Sequence, residues 1–431
     1  MLRNAATGKT NVIKRLQKAY LGFLVLRPIS AAPFGRAVVV WYPEDSPSAP
    51  RITEPARIYS VHIAGFTLQI SGLAWQQQDT GVGACATVGL WTMLHSSAFD
   101  DHHAIPTTAQ ITQSAHSTAS LGSRVFPSKG LTIFQICEAI KANQLAPMVF
   151  EGDIKDNSGV NVVGFSKERF SAACSSLIRS GYPVLIIGNL EGIGGHAICA
   201  VGFRSCTPKP PGTAGTVILE ESDIEYIYIH DDNIGPNVRF SIEIDATNHF
   251  VRLRSSPPPL RGNKVRPKTD QYPAFIPTQL VVAVHEDLRT SPDQLHQDGY
   301  RRATDIYSLL AALLKSNSTA AIPLSFSTRF IKLSEYVEEE LYKTLETKPK
   351  LLSRTRLALW EFVPPMSLHV GMLRIGTWDG TPLVDVLFDT TDSDRNHPVF
   401  AHISYAQFIP VMTEYLTENH GLDFGICVKS F

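Results

Sequence analysis

The clearest pattern along the chain is a series of short apolar runs in its middle third. Residues 183–188 (Pro-Val-Leu-Ile-Ile-Gly) form a continuous apolar stretch bounded by turn residues, which predicts a buried strand. Residues 196–203 (His-Ala-Ile-Cys-Ala-Val-Gly-Phe) predict a second strand and 225–230 a third, and 238–244, with its alternation, predicts a fourth. Glycine, proline and asparagine fill the turns between them. Upstream the period changes. Val88, Trp91 and Leu94 recur at helical spacing within 84–97. A short helix is expected from Thr108. Thr132 reads as the N-cap of a helix to Ala142, with Ile133, Ile136 and Ile140 on one face. Residues 167–180 give another helix, ended by Gly181. Residues 37–42 read as a strand, and 58–70 as one or two more. Helices followed by antiparallel strands indicate an α+β domain.

The second half reads as another α+β unit. Residues 255–277, with Ser-Ser-Pro-Pro-Pro-Leu-Arg-Gly, read as a polar, basic, proline-rich interdomain connector, with a surface loop of one larger unit as the alternative. Beyond it a strand is expected at 279–284, a helix at 293–315, and a second helix at 334–345 with Ser334 as N-cap. Strands are expected at 357–362, 369–375 and 383–388. The segments expected are therefore an N-terminal extension (1–57), a first α+β domain (58–254), the linker (255–277) and an accessory α+β domain (278–431).

Composition narrows the function classes. A chain of 431 residues with 44% apolar residues can fill two cores. Charged residues are 18% and the formal net charge is -1, which does not fit a general nucleic-acid binder. The six cysteines, Cys85, Cys137, Cys174, Cys199, Cys206 and Cys427, include no CxxC pair. That argues against a disulfide framework and a cysteine zinc site, and for a reducing, cytoplasmic setting. The N-terminal segment carries Arg3, Lys9, Lys14, Arg15 and Lys18 ahead of the apolar run 21–26. The run is too short to span a bilayer. It reads as a basic amphipathic helix or tail, with docking on a membrane surface or a partner as the functional alternative. No transmembrane segment is expected elsewhere.

The chemistry-bearing residues stand at the edges of these elements. Cys85 follows a polar, glycine-broken loop and opens a helical run. The positive end of a helix dipole favours thiolate there. Gln77 and Gln78 lie just upstream and offer an amide donor to the same site. His196 opens a strand after Gly192-Ile193-Gly194-Gly195, where glycines allow close approach of backbone or substrate. A lone histidine in such a place is most often an ordinary residue, but a nucleophile-type cysteine before it changes the reading. Asp231 and Asp232 end the strand Tyr-Ile-Tyr-Ile-His. An acidic group there can hold the second imidazole N–H, although a turn using Asp and Asn for backbone bonds has the same appearance.

The ordered set Gln78, Cys85 at a helix start, His196-Ala197-Ile198 at a strand start and Asp231 at the next strand end resembles the papain-like cysteine peptidase superfamily. It is most similar to the bacterial branch that includes the peptidase domains cleaving double-glycine leader peptides. The resemblance covers residues 66–244. The sequence departs from the pattern in the spacing of glutamine to cysteine, which keeps Gln77 in play, in Ala86 after the cysteine, and in the insertion 207–212 between His196 and Asp231. The resemblance implies acyl transfer on a protein or peptide substrate, with no cofactor and no metal. Cys85 is then the nucleophile, His196 the base and later acid, and Asp231 its orienting partner, with Asp232 in reserve. The Cys85 N–H and the Gln78 amide serve the oxyanion, at about 3 kcal/mol each. Water as acceptor gives peptide or isopeptide hydrolysis through a thioester. Transamidation or deamidation on the same core, and a silent peptide-binding module, are the alternatives.

Other candidate groups have simpler readings. His95, Asp100, Asp101, His102 and His103 crowd one helix end and could bind a divalent metal, but a solvated polar terminus is the simpler reading. Trp75 and Trp91 read as packing residues, and Cys199, three residues past His196, as a buried small hydrophobe on the opposite strand face. The acidic run 385–394 in the C-terminal unit matches no EF-hand spacing and reads as a polar turn.

Overall fold

The computed structural model describes residues 10–43, 49, 51–79, 84–100, 104–117, 130–157, 160–206, 217–219, 224–256, 272–316, 323–362, 368–391 and 399–405. The protein is mixed α/β, with several antiparallel sheets. Two compact units divide the chain. The first combines Met1–Lys167, Gly181–Arg204 and Glu225–His285, and the second combines Glu168–Ser180, Ser205–Ile224 and Glu286–Phe431.

The first unit is organised by one sheet. Its strands run in the order Ile224–Asp231, Gly235–Ile244, Val251–Ser255, Phe275–Val284, Val184–Leu190, Gly194–Ser205. The last of these also pairs with the first, so six strands close on themselves. Closure removes the unpaired edges that an open sheet would expose. The register sets His196 opposite Gly188 and Cys199 opposite Leu185. Phe275–Val284 bonds to Val184–Leu190 on one side and Ala146–Glu151 on the other, which places this strand in the first unit and not with the segment that follows it. Leu185, Ile186, Ile198, Ile227, Phe240, Leu253, Phe275 and Val281 are each no more than 1% exposed and fill this core.

The helix Cys85–Met93 lies against Val184–Leu190. Its eight residues after Cys85 are all buried, as expected of a helix enclosed by its own domain. Close approach depends on Gly89: a Cβ there would stand 2.5 Å from Leu185 Cδ1. Gly89→Val is therefore expected to push the helix off the strand, costing about 1–3 kcal/mol of stability by overpacking. A lower urea midpoint together with slower iodoacetamide labelling of Cys85 would register both effects. The helix is also pinned by Thr92, whose hydroxyl donates to the carbonyl of Ala74 (3.0 Å). The helices Thr108–Ala115 and Ile133–Lys141 both begin with a full capping box, Thr107 with Gln110 and Thr132 with Gln135.

The N-terminal apolar run forms a strand, Gly22–Leu26, paired antiparallel with Phe34–Val39 and preceded by the helix Thr10–Lys18. Leu21 is 70% and Leu26 69% exposed. Among the described residues no helix is long and apolar enough to cross a membrane.

The second unit holds a five-stranded sheet in the order Val217–Leu219, Leu324–Lys332, His369–Thr377, Pro382–Asp389, Val399–Ser404, covered by the helix Pro292–Ser316. Three sequence expectations fail here. Residues 349–362 are helical, not a strand at 357–362. Leu352, Thr355 and Leu359 are buried at helical spacing, and Pro349 opens the helix, where its missing N–H costs nothing. Ser334 is not an N-cap: Lys332 holds that position, and a π-helical turn, Tyr336–Glu340, follows two residues later. The acidic run is not simply a polar turn either. Asp385 is fully buried in mid-strand, gripped at 2.8 Å by both Nε and Nη2 of Arg374 and accepting from the hydroxyls of Tyr336 (3.0 Å) and Tyr405 (2.7 Å). Asp392 and Asp394 lie outside the described residues.

Candidate active site

Cys85 is the first residue of its helix. Ala84 precedes it in extended conformation and provides no side-chain cap, so the first-turn N–H groups are not taken by a capping oxygen. The thiol is half-buried and in no disulfide. The glycines before His196 serve backbone shape: Gly192 and Gly194 adopt φ of 73° and 127°. Among the described residues, a Cβ at Gly192, Gly194 or Gly195 would meet nothing within 4 Å, so no described backbone presses on these glycines. Across the ladder Gly188 has the opposite situation. A Cβ there would lie 2.0 Å from the carbonyl oxygen of Ile276, and its absence lets the Phe275 ring stand edge-on to His196 (centroids 6.3 Å).

His196 is 7% exposed. Its Nε2 lies 3.2 Å from Asp231 Oδ2 and 3.7 Å from Asp232 Oδ1. The Asp231 carboxylate accepts, so Nε2 carries the proton and donates to it. Cys85 acts on the same ring as a hydrogen-bonding and negatively charged neighbour, and Nδ1 is the nitrogen that the Asp231 bond leaves for it. Burial opposes charge on this imidazole. The hydrogen bonds and negative charge of Asp231 and Cys85 outweigh it and push its pKa up to about 10.

Asp231 is fixed on every side. Its Oδ1 accepts from the backbone N–H of Asn233 (2.8 Å) and Ile234 (3.1 Å), and its Oδ2 also accepts from the Tyr272 hydroxyl (3.3 Å). Its own carbonyl accepts from the Trp75 indole N–H (2.8 Å). His230 next to it is a staple. Burial holds its pKa down at about 4, against the pull of the Leu73 carbonyl, and the neutral ring donates from Nε2 to that carbonyl (3.1 Å) while Nδ1 accepts from the Asn237 N–H (3.2 Å). Trp75 and His230 therefore tie the segment before Cys85 to the strand end that carries Asp231.

Gln77 and Gln78 separate here. The Gln77 Oε1 accepts from the backbone N–H of Phe34 (3.3 Å), which ties that side chain to the hairpin, whereas the half-buried Gln78 amide forms no hydrogen bond among the described residues. Gln78 is thus the less constrained of the two. The loop 80–83 lies outside the described residues.

Asp232 differs from its neighbour. Its side chain is 2% exposed, and among the described residues neither oxygen has a partner in good hydrogen-bond geometry. Burial lifts its carboxyl to about 7; the charge of His196 pulls the other way, that of Asp231 pushes it further up, and the nearby N–H groups of Asp232 and Asn233 lower it slightly. From pH about 3.8 to about 7 the folded protein keeps a proton that the unfolded chain has lost, so stability falls as pH rises through that window. Asp232→Asn is expected to remove this slope, read as the difference in urea midpoint between variant and parent across the range.

His196, Asp231 and Asp232 bring an imidazole nitrogen and two carboxylate oxygens within 4.8 Å of one another, a donor set that a divalent cation could accept. Asp231 already receives four hydrogen bonds, which account for its burial without an ion. Of the other acidic and histidine cluster, only His95 and Asp100 are among the described residues. His95 is buried with its ring against Trp91 (centroids 4.2 Å), and Arg57 donates to the His95 carbonyl (2.8 Å) and pairs with Asp100. Asp101, His102 and His103 lie outside the described residues. Cys199 is fully buried, and burial pushes its thiol pKa up, away from thiolate chemistry.

Sequence reading missed Tyr272 and assigned Trp75 to packing alone. Tyr272 stands in the segment expected to be a linker, and nothing local marks its reach to a residue 41 positions away. Cys85, His196, Asp231 and Gln78 all lie in the first unit, the first three on three separate elements and Gln78 in the segment that precedes the Cys85 helix. Comparison with protein-family models, curated proteins and solved structures returned no match for this chain.

Proposed function

We propose that this protein is a papain-like thiol hydrolase that cleaves a peptide or isopeptide bond through Cys85, His196 and Asp231. One observation carries the reading: the His196 ring hydrogen-bonds Asp231 on one side and Cys85, at an uncapped helix N-terminus, on the other. This is the relay that acyl transfer requires. Cys85 sulfur adds to the substrate carbonyl, and the oxyanion is met by the Cys85 N–H and the Gln78 amide. His196, charged in the resting pair, gives its Nδ1 proton to the leaving amine as the C–N bond breaks. A thioester remains. His196 then takes a proton from water, whose oxygen attacks the thioester, and the thiol is restored with release of the acid. The open space beside Gly194 and Gly195 supports substrate entry next to the imidazole.

The test is to incubate the protein with an activated acyl ester and with peptide mixtures, and to follow both by intact mass. A hydroxylamine-sensitive adduct on Cys85, with water-derived products, is the expected result. Ammonia loss or a cross-linked product would move the assignment to deamidation or transamidation. No adduct on Cys85 at any pH would leave a peptide-binding module in place of an enzyme.

A further inference from the structure

We infer that Arg27 is a positioning residue for the oxyanion side of this site, because one guanidinium straddles Gln78. Its Nη2 donates to the carbonyl of Gln77 (2.8 Å), and its Nη1 pairs with the carboxylate of Asp79 (3.1 Å). These are the residues before and after the glutamine. The third donor, Nε, bonds to the carbonyl of Ala32 (3.1 Å) and fixes the plane of the group. The inference rests on the reading of Gln78 as oxyanion donor.

The same two segments are joined again by backbone. The Gln77 N–H donates to the Phe34 carbonyl (3.0 Å), and the Phe34 N–H donates to Gln77 Oε1 (3.3 Å). Arg27 is itself anchored, its N–H donating to Pro33 (2.8 Å) at the end of the Gly22–Leu26 and Phe34–Val39 hairpin. The hairpin is therefore the platform and Arg27 the clamp. A clamp is needed because 76–79 lies in no helix or strand, the nearest ladder contact being the single bridge Ala37–Trp75. A donor to an oxyanion must be held to within a fraction of an ångström, and a misplacement of about 1 Å costs on the order of 10²-fold. The side chains of Arg27 and Asp79 are 18% and 11% exposed, so water and salt screen the pair less than they would at the surface. A planar fork reaches both acceptors at once, whereas an ammonium reaches one.

Two rates at Cys85 separate this role from a merely structural one. Alkylation by iodoacetamide needs the thiolate and no oxyanion donor. Acylation by p-nitrophenyl acetate does need one: the sulfur adds to the ester carbonyl, the C–S bond forms, the C–O bond breaks and p-nitrophenolate leaves. In the full chain, Arg27→Ala is expected to slow acylation by roughly 10²-fold while alkylation stays within about twofold. Arg27→Lys should recover part of the loss, and Asp79→Asn, which keeps the arginine, should show a smaller loss of the same kind. Gln78→Ala should cost little more once Arg27 is gone. Acylation of Arg27→Ala at the parental rate overturns the inference, and so does a parallel fall of both rates in all three variants, which would mark a fold-wide effect. A parent that is alkylated but never acylated removes the functional reading first and this inference with it.

Discussion

Cys85→Ala and His196→Ala are each expected to lower acyl turnover by about 10⁴-fold or more, and the double variant should lose little beyond either single one. The two groups act as one unit. In the proposed reaction the sulfur attacks while the imidazole carries the proton that the leaving group must receive, so neither group completes the step without the other. Neither variant should unfold the protein. Cys85 is half-buried at a helix start, and the Ala84–Cys85 junction uses backbone bonds only. His196 stands opposite Gly188 on a ladder that does not depend on its ring. Turnover of an activated ester, with circular dichroism as the folding control, checks both. Two variants whose losses add in full would show that the groups act separately and would sink the relay.

Asp231→Asn is expected to cost on the order of 10³–10⁴-fold, almost as much. Position Oδ1 must accept from the N–H groups of Asn233 and Ile234, so the asparagine oxygen goes there and its NH₂ is turned to His196 Nε2. A donor facing Nε2 forces the proton to Nδ1, the nitrogen that should accept from the thiol. The electrostatic effect has the same direction. Asp231 is one of the two groups that hold His196 up at about 10 against burial, and without its charge the pKa falls. The alkaline limb of the pH–rate profile should then move to lower pH. Stability follows the same sign. A raised histidine pKa stabilises the fold fully below its ordinary value of 6.5, and this contribution is lost as pH rises through about 10. In the variant that loss should set in earlier. A profile that does not move would show that Asp231 does not orient the base.

The elements that carry the site were legible because their local signals agree. The helix at Cys85–Met93, the strand at Gly194–Ser205 and the strand at Ile224–Asp231 each begin or end close to where periodicity and turn residues said they would. Where signals conflicted, tertiary packing chose. Leu357 to Phe362 has the composition of a strand, yet the buried stripe of Leu352, Thr355 and Leu359 commits 349–362 to a helix. Propensity over six residues is a weak preference beside the burial of a whole face. The Gly192–Gly195 turn was read for close approach and proved to be a φ requirement beside open space, a distinction that lies in the surroundings and not in the glycines.

What the sequence alone determined was the ordered inventory: a cysteine at a helix start, a histidine near the head of a strand that begins at Gly194 and not at His196 as expected, a carboxylate ending a later strand, and two adjacent glutamines upstream. Sequence could not choose between Gln77 and Gln78, or between Asp231 and Asp232, because neighbours share a composition and differ only in what faces them. Tertiary structure gives the members of each pair different surroundings. Gln77 Oε1 accepts from Phe34, and Asp231 receives hydrogen bonds from His196, Asn233, Ile234 and Tyr272 that Asp232 does not. It also brought Tyr272 from a segment read as linker and Arg27 from 52 residues away. Such contacts are set by ring closure of the sheet and by its register, which depend on chain entropy and packing over the whole unit. No window of sequence contains them.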